Sequence, residues 1–247
     1  MTNRFFRLTA LMVFSLAVLF FTPFHSQASV GDTFTNTPLK YTVLSEDNIA
    51  QTGTVSVEAE SKDILGDITI PETVEKEGYT YSVTVILDFA FKNCKKLTSI
   101  TIPNGITSIG KGAFYSCYKI EKAILPDSVT SIEPYAFDRC LGLKHINIPV
   151  KLTIINWGVF CCCWNLEEIT IPDSVTEIDF AGFAFCYRLK SIVIPESVTR
   201  LGDAAFADCS RLTTVHFKGN KPEMGEKVFD NCPLLNKDFL DNYEKNK

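Results

Sequence analysis

A period of 23 residues organises most of this 247-residue chain. Phenylalanine and cysteine recur at this spacing, three residues apart, and proline and threonine repeat in the same register. Four residue types in one register exclude an accident of composition and predict a repeat protein. The cysteine column is Cys94, Cys117, Cys140, Cys163, Cys186, Cys209 and Cys232, and the phenylalanine column runs from Phe91 to Phe229.

One repeat contains a strand signal followed by a compact segment. Between Leu97 and Pro103 apolar residues alternate with polar ones, which is typical of a short strand with one buried face. Pro103 ends the strand because proline has no backbone donor for a ladder. Ala113, Phe114 and Cys117 then have the spacing of one turn of α-helix or 3₁₀-helix. No repeat can bury its own apolar face, so stacking of about seven repeats is expected to form a continuous core.

These residues resemble the BspA-like leucine-rich repeats of bacterial surface proteins. The pattern that carries the resemblance is Leu-x-x-Ile-x-Ile-Pro-x-x-Val-Thr-x-Ile-Gly-x-x-Ala-Phe-x-x-Cys, and it covers about Leu65 to Leu235. The resemblance implies an α/β-type repeat solenoid with a short parallel sheet on its concave side and short helical or 3₁₀ segments opposite. It also implies a surface or secreted protein that binds other molecules, sometimes host proteins, and it carries over no catalytic motif.

The first 28 residues have the pattern of a signal peptide. Arg4 and Arg7 precede an apolar run, and Ser26-Gln27-Ala28 offers small residues for cleavage after Ala28. A retained membrane anchor is the alternative, but the run is short for a bilayer span, which needs about 20 apolar residues. We therefore expect an exported protein that is secreted, periplasmic or held at the cell surface.

The two ends of the repeat array are expected to be capped. Residues 29–64 are predicted to form a β-type cap with strands at Leu39–Leu44 and Thr54–Glu60. Nine extra residues around Gly78 suggest a hairpin at the start of the array. Residues 65–235 form the predicted solenoid, and residues 236–247 are predicted to be a C-terminal cap or tail with a short helix.

The net charge expected for the exported chain bears on which kind of partner it can bind. Loss of Arg4 and Arg7 with the leader changes the formal net charge from −5 to −7. A mildly acidic, mixed surface argues against nucleic acid as a partner, because phosphate binding needs a basic footprint. No second apolar run of spanning length occurs, so no membrane span is expected after removal of the signal.

The cysteine column is expected to hold buried free thiols rather than disulfides. Equivalent positions in stacked strands lie about 4.8 Å apart, whereas the Cβ atoms of a disulfide lie about 3.8 Å apart. Cys161 and Cys162 fall outside the column, and one of them could pair with a partner. Three consecutive side chains are expected to diverge and not to clasp one tetrahedral ion. The sequence therefore predicts no metal site and no cofactor.

Residues capable of catalysis are too scattered to predict an enzyme. His145 and His216 lie three repeats apart, about 14 Å in stacked strands, which is too far for a shared ligand or relay. No phosphate-binding glycine loop, Gly-x-Ser-x-Gly or His-Glu-x-x-His motif occurs. No catalytic residue is assigned, and a hydrolase with an unfamiliar site is the least favoured alternative.

Several columns are expected to face solvent. The position after the core leucine alternates in charge, as at Glu121 and Lys144, which predicts pairs between neighbouring strands. The position after the column cysteine, called here the aromatic edge, carries Tyr118, Trp164 and Tyr187, whose rings either mark an interaction site or pack over the adjoining repeat. A second candidate surface is the row Thr101, Ile124, Asn147, Thr170, Val193 and His216 on the predicted concave sheet.

The sequence as a whole predicts a non-catalytic binding protein. Its expected partner is a protein or a glycan, and adhesion to host components is one form that this role could take. A purely structural spacer or coat protein is the alternative.

Overall fold

A computed structural model describes residues 29–236 and Phe239. The predicted signal peptide, and the predicted C-terminal helix apart from Asn236 and Phe239, lie outside these residues. Between residues 29 and 236 the chain forms strands and turns and no helix, so nothing there resembles an apolar helix of membrane-spanning length. The strands are β1 (Thr33–Asn36), β2 (Leu39–Asp47), β3 (Thr52–Ala59), β4 (Leu65–Thr69), β5 (Thr73–Lys76), β6 (Tyr79–Ile86), β7 (Lys96–Thr101), β8 (Ser108–Ile109), β9 (Lys122–Ile124), β10 (Ser131–Ile132), β11 (His145–Ile146), β12 (Ile154–Ile155), β13 (Glu177–Ile178), β14 (Ser191–Ile194), β15 (Arg200–Leu201), β16 (Thr214–Phe217) and β17 (Glu223–Met224).

The N-terminal strands form an antiparallel sheet that continues into the solenoid. β2 pairs with β1 and β3, and β3 pairs in parallel with β6. The two strands predicted in this region are confirmed as β2 and β3. The predicted hairpin is also confirmed, as β5 and β6. Its turn consists of Glu77 and Gly78, both with positive φ (52° and 85°), which matches the twist that a two-residue hairpin loop requires.

The repeats build two ladders of parallel strands. The Leu-x-x-Ile-x-Ile segments form the first, in the order β4, β7, β9 and β11, followed by the separate pair β14 and β16, so the predicted parallel sheet is confirmed. A second ladder joins β6, β8 and β10, and then β12, β13, β15 and β17. Apart from β6, the strands of this ladder are two residues long and were not predicted. The strands β8, β10, β12, β13 and β15 each bury one isoleucine or leucine, as at Ile109 and Ile132.

Opposite charges pair between neighbouring repeats at the start of the Leu-x-x-Ile-x-Ile segments, as predicted. Lys144 Nζ lies 2.8 Å from Glu121 Oε2, and Lys190 Nζ lies 3.1 Å from Glu167 Oε2. These side chains are largely exposed, so each pair stabilises the fold by at most about 1 kcal/mol.

The third side of each repeat is a run of turns, and the predicted helical or 3₁₀ segments are wrong. Phe89 and Asn93 have φ of 57° and 64°, and left-handed residues interrupt the dihedrals that a helix needs. Alternate amides donate to the next repeat instead, from Phe89 N to Lys111 O (2.8 Å) and from Phe91 N to Ala113 O (2.7 Å). The later left-handed pairs are Gly112 and Ser116, Tyr135 and Arg139, Gly158 and Cys162, Ala181 and Phe185, Ala204 and Asp208, and Lys227 and Asn231.

The phenylalanine and cysteine columns form the centre of the core. Consecutive column rings stack with centroids 5.0 to 5.9 Å apart. From Cys117 onward, each thiol donates to the carbonyl of the phenylalanine 26 residues earlier, as from Cys140 Sγ to Phe114 O at 3.2 Å. Cysteine suits this position because it is small and apolar and still satisfies a buried carbonyl. The seven column cysteines are buried, as predicted, and all nine are free thiols.

One junction in the stack, called here the seam, lies between residues 131–148 and the following turn of the solenoid at 154–171. β10 and β12 do not pair there, and residues 166–171 are not a strand. The column rings Phe137 and Phe160 are 5.9 Å apart, the longest step of the series. Two side-chain amides bridge the gap, from Asn156 Nδ2 to Ile132 O and from Asn165 Nδ2 to Leu141 O, each at 2.8 Å.

Candidate functional site

The row predicted to face outward from the first ladder does so, and it borders a depression of about 650 Å³. Ile124 and Val193 are 54 % and 43 % exposed, although their neighbours along the strands are buried. Lys122, His145 and Glu168 also line the depression, so that both charges stand beside an apolar floor. Thr101, Thr170 and His216 are exposed at the remaining positions.

Asn147 has a structural task that its place in this row did not reveal. Its side chain accepts a hydrogen bond from Leu125 N and donates one to Leu125 O, both at 2.8 Å. A carboxamide can replace a strand partner in this way because it carries one donor and one acceptor side by side. Asn147 therefore holds the preceding repeat in place, and the outward positions around it are the ones open to a ligand.

The structure brings two of the three aromatic-edge residues together. The rings of Trp164 and Tyr187 have centroids 5.7 Å apart and are inclined by 40°. They are 44 % and 37 % exposed, so each packs on its neighbour and still offers a face to solvent. Tyr118 stands apart, half-buried beneath the ammonium group of Lys95 at 5.4 Å.

A second exposed aromatic pair was missed by the sequence analysis. Trp157 and Phe180 are 50 % and 44 % exposed, with ring centroids 5.9 Å apart. The two pairs flank the same two turn segments, 157–164 and 180–187, which are hydrogen-bonded to each other. The available signal was the column Asp88, Lys111, Pro134, Trp157, Phe180, Asp203 and Glu226, in which only two positions are aromatic. We call the four rings Trp157, Trp164, Phe180 and Tyr187 the aromatic patch.

Three side chains with metal-ligating atoms converge beside Trp164. The ligand atoms of Asp138, Cys161 and Cys162 all lie within 4.8 Å of one another, and the two sulfur atoms are 3.6 Å apart. The prediction that consecutive cysteines diverge is therefore wrong for this pair. Cys162 has a left-handed φ of 57°, and its sulfur atom lies beside that of Cys161.

The electrostatics of this cluster are unusual for a surface turn. Burial raises the pKa of the Asp138 carboxyl to about 6, and Arg139 opposes the shift in part. The hydrogen bond from Cys161 lowers the pKa of the Cys162 thiol, with smaller contributions from Arg139 and the Trp164 indole N–H. The same hydrogen bond, with burial, raises the pKa of Cys161.

Comparison with known proteins places the repeats in one family. The profile of the BspA type leucine-rich repeat region matches residues 61–189 and 176–246 in six copies. A leucine-rich repeat protein of T. pallidum is 25 % identical, with a TM-score of 0.74 over 86 % of this chain and 94 % of its own. A leucine-rich cell surface protein of Faecalibacterium prausnitzii is 29 % identical, with a TM-score of 0.57 over 79 % of this chain and 56 % of its own. No curated protein matches the sequence.

Proposed function

Because the chain belongs to the BspA-type leucine-rich repeat family, we propose that it is an exported, non-catalytic protein that binds a protein or glycan ligand. The similarity to a cell surface protein of F. prausnitzii supports the location. The signal-like N-terminus of the sequence supports export. Adhesion to host components is the finer form of this proposal.

The observation that carries the proposal is the aromatic patch. Four large rings that are each 37–50 % exposed stand in adjacent repeats. The column of Trp157 and Phe180 elsewhere holds mainly charged residues, so two exposed rings there are a departure from the repeat. Rings of this kind lose little conformational entropy on binding and bury much area, so they dominate the energetics of interfaces. Repeated, equivalent positions also present rows of side chains, which suit an extended ligand better than a small one.

Trp164 and Tyr187 are the proposed anchors, since they combine contact with each other and exposure. We expect the double variant Trp164→Ala/Tyr187→Ala to bind its ligand more than tenfold more weakly, a loss of about 1.4 kcal/mol. The ligand would be isolated by pull-down of the mature protein against extracellular proteins and glycan arrays. Affinity would then be compared for folded variants that match the wild type in circular dichroism.

Phe89→Ala is the matched control, because Phe89 is 46 % exposed but lies near the start of the array. Its affinity should equal that of the wild type. Unchanged affinity in the double variant would remove the aromatic anchors and favour the row around Ile124 and Val193. Self-association with no saturable ligand would contradict the binding role and favour a structural spacer or coat protein.

A further inference from the structure

The cluster of Asp138, Cys161 and Cys162 lies across the seam. Asp138 belongs to the first side of the junction, and the two cysteines stand one repeat later on the other side. In the turn segments on either side of this junction, the equivalent positions carry no second set of such ligands. Asp138 and Cys161 occupy the same column in successive repeats. This column holds Tyr115 one repeat before Asp138 and Ala184 one repeat after Cys161.

The distances suit a tetrahedral metal ion with sulfur ligands. With Zn–S bonds of about 2.3 Å, two thiolates on one tetrahedral ion are separated by roughly 3.8 Å. The sulfur atoms of Cys161 and Cys162 are already 3.6 Å apart, and the Asp138 carboxylate lies within 4.8 Å of both. The three ligand atoms are therefore close to the separations that one bound ion would impose.

The Asp138 carboxylate provides an independent indication that a cation belongs here. Asp138 is 8 % exposed, and its Oδ1 atom is buried with no hydrogen-bond partner among the described residues. Hydrogen bonds from the Cys161 thiol and the Arg139 backbone reach the carboxyl and lower its pKa, but burial has the larger effect and raises it. A buried carboxylate oxygen without a partner is costly unless it is paired or coordinates a metal. The three negative charges of two thiolates and one carboxylate balance the charge of a divalent ion and the charge of Arg139, which interacts with Asp138 and Cys162.

We propose that Asp138, Cys161 and Cys162 bind one thiophilic divalent ion of the Zn²⁺ class. Each thiol releases its proton to solvent as its sulfur–metal bond forms. Both cysteines are partly exposed, so a fourth position stays open to water or to a ligand beside Trp164. The ion would join the two sides of the seam, where the second ladder is broken and the first is incomplete.

The test uses the reduced mature protein with Cd²⁺ as a spectroscopic probe and Zn²⁺ as a competitor. We expect one Cd²⁺ per chain, an ultraviolet sulfur-to-cadmium charge-transfer band, its loss on addition of Zn²⁺, and a higher melting temperature with either ion. Cys161→Ala and Cys162→Ser should abolish the band, and Asp138→Asn should weaken binding at least tenfold. These variants suit the fold, because Ala184 and Ser116 occupy the equivalent positions in other repeats.

Asp230→Asn is the matched control, because Asp230 occupies the position of Asp138 in the last repeat and is exposed. It should leave Cd²⁺ affinity and the band unchanged. The proposal is overturned if the folded, reduced protein shows no charge-transfer band. It is equally overturned if the band survives in the Cys161→Ala and Cys162→Ser variants, or if Asp138→Asn and Asp230→Asn bind alike.

Discussion

Replacement of Phe137 by alanine tests whether the stacked rings are the unit of stability. The Phe137 ring is fully buried between Phe114, at 5.0 Å and 13°, and Phe160, at 5.9 Å and 17°. Loss of a buried phenylalanine side chain costs about 3–5 kcal/mol through lost transfer free energy and the cavity left behind. Because contacts in a solenoid are between neighbours, the ring interactions with the two adjoining repeats are lost together.

Phe91 provides the matched comparison, because it is equally buried but begins the column. Among the described residues it stacks on Phe114 alone, at 5.2 Å. An aromatic pair contributes about 0.5–1.5 kcal/mol beyond buried area. Phe137→Ala should therefore lower the free energy of unfolding by the contribution of one aromatic pair more than Phe91→Ala does. This difference should fall in the lower half of the range of about 0.5–1.5 kcal/mol, because the contact between Phe137 and Phe160 is long.

Urea unfolding measures both quantities. With m of about 2 kcal/mol/M, the midpoint of Phe137→Ala should fall by roughly 1.5–2.5 M. Circular dichroism follows the whole array, and the fluorescence of Trp157 and Trp164 follows the region of the seam, so coincident curves establish a single transition. If Phe137→Ala prevents folding, Phe137→Leu is the milder variant, with an expected loss of roughly 1–2 kcal/mol in the free energy of unfolding. A cost for Phe91→Ala equal to or above that of Phe137→Ala would refute the ring-ladder argument.

Three further predictions concern the turn side of the repeats. Gly112→Ala should destabilise the fold by more than the roughly 1–2 kcal/mol of a left-handed alanine, since its Cβ would lie 2.7 Å from the Phe89 ring. A double-mutant cycle with Phe89→Ala should recover the part of the cost that comes from this clash, and additive costs would contradict the argument. Ala204→Gly, at a residue with φ 53°, should stabilise the fold by about 0.5–1 kcal/mol, whereas Ala205→Gly, at a residue without positive φ, should destabilise it. Thermal melts that show the same sign for both variants would count against backbone strain at Ala204. A thiol reagent should label the native, reduced, metal-free protein at no more than Cys161 and Cys162, as read by mass spectrometry, and fast labelling of Cys117 or Cys140 would contradict the buried column.

The repeat spacing predicted the first strand ladder and the core columns, because these depend on which residues are apolar and how often they recur. The hairpin was predicted from the residues around Gly78 that interrupt the spacing. The turn side was predicted wrongly for a definable reason. Ala113, Phe114 and Cys117 have a spacing that fits one helical turn and also a run of tight turns. Only the sign of φ separates the two, and residues such as Phe89 and Arg139 adopt positive φ without being glycine. Bonds to the next repeat, which local sequence does not display, offset that strain.

The candidate sites were predicted in part for a related reason. The column of Trp164 and Tyr187 left open whether their rings are exposed or pack over the adjoining repeat, and in the structure the two rings meet and are also exposed. The left-handed turn at Cys162 recurs in every repeat, and at the seam it carries side chains whose ligand atoms meet that of Asp138. The bridging role of Asn147 depends on its side-chain rotamer. Neither contact follows from the spacing of the columns alone.

Several residues that depart from the repeat pattern, among them Asn156 and Asn165, lie at the seam, where the strand ladders are interrupted. This interruption has a measurable consequence. A period as strict as 23 residues leaves a solenoid little room for variation, but the seam replaces backbone ladder bonds with the side chains of Asn156 and Asn165. The amides of residues 167–171 donate no backbone hydrogen bond within the described chain, whereas the equivalent β7 is paired on both sides. Their hydrogen exchange should therefore be at least tenfold faster than that of Ser99–Thr101, because unpaired amides exchange without local opening. Equal protection of the two segments, measured by mass spectrometry on the native protein, would show that the seam is as tightly bonded as the rest of the stack.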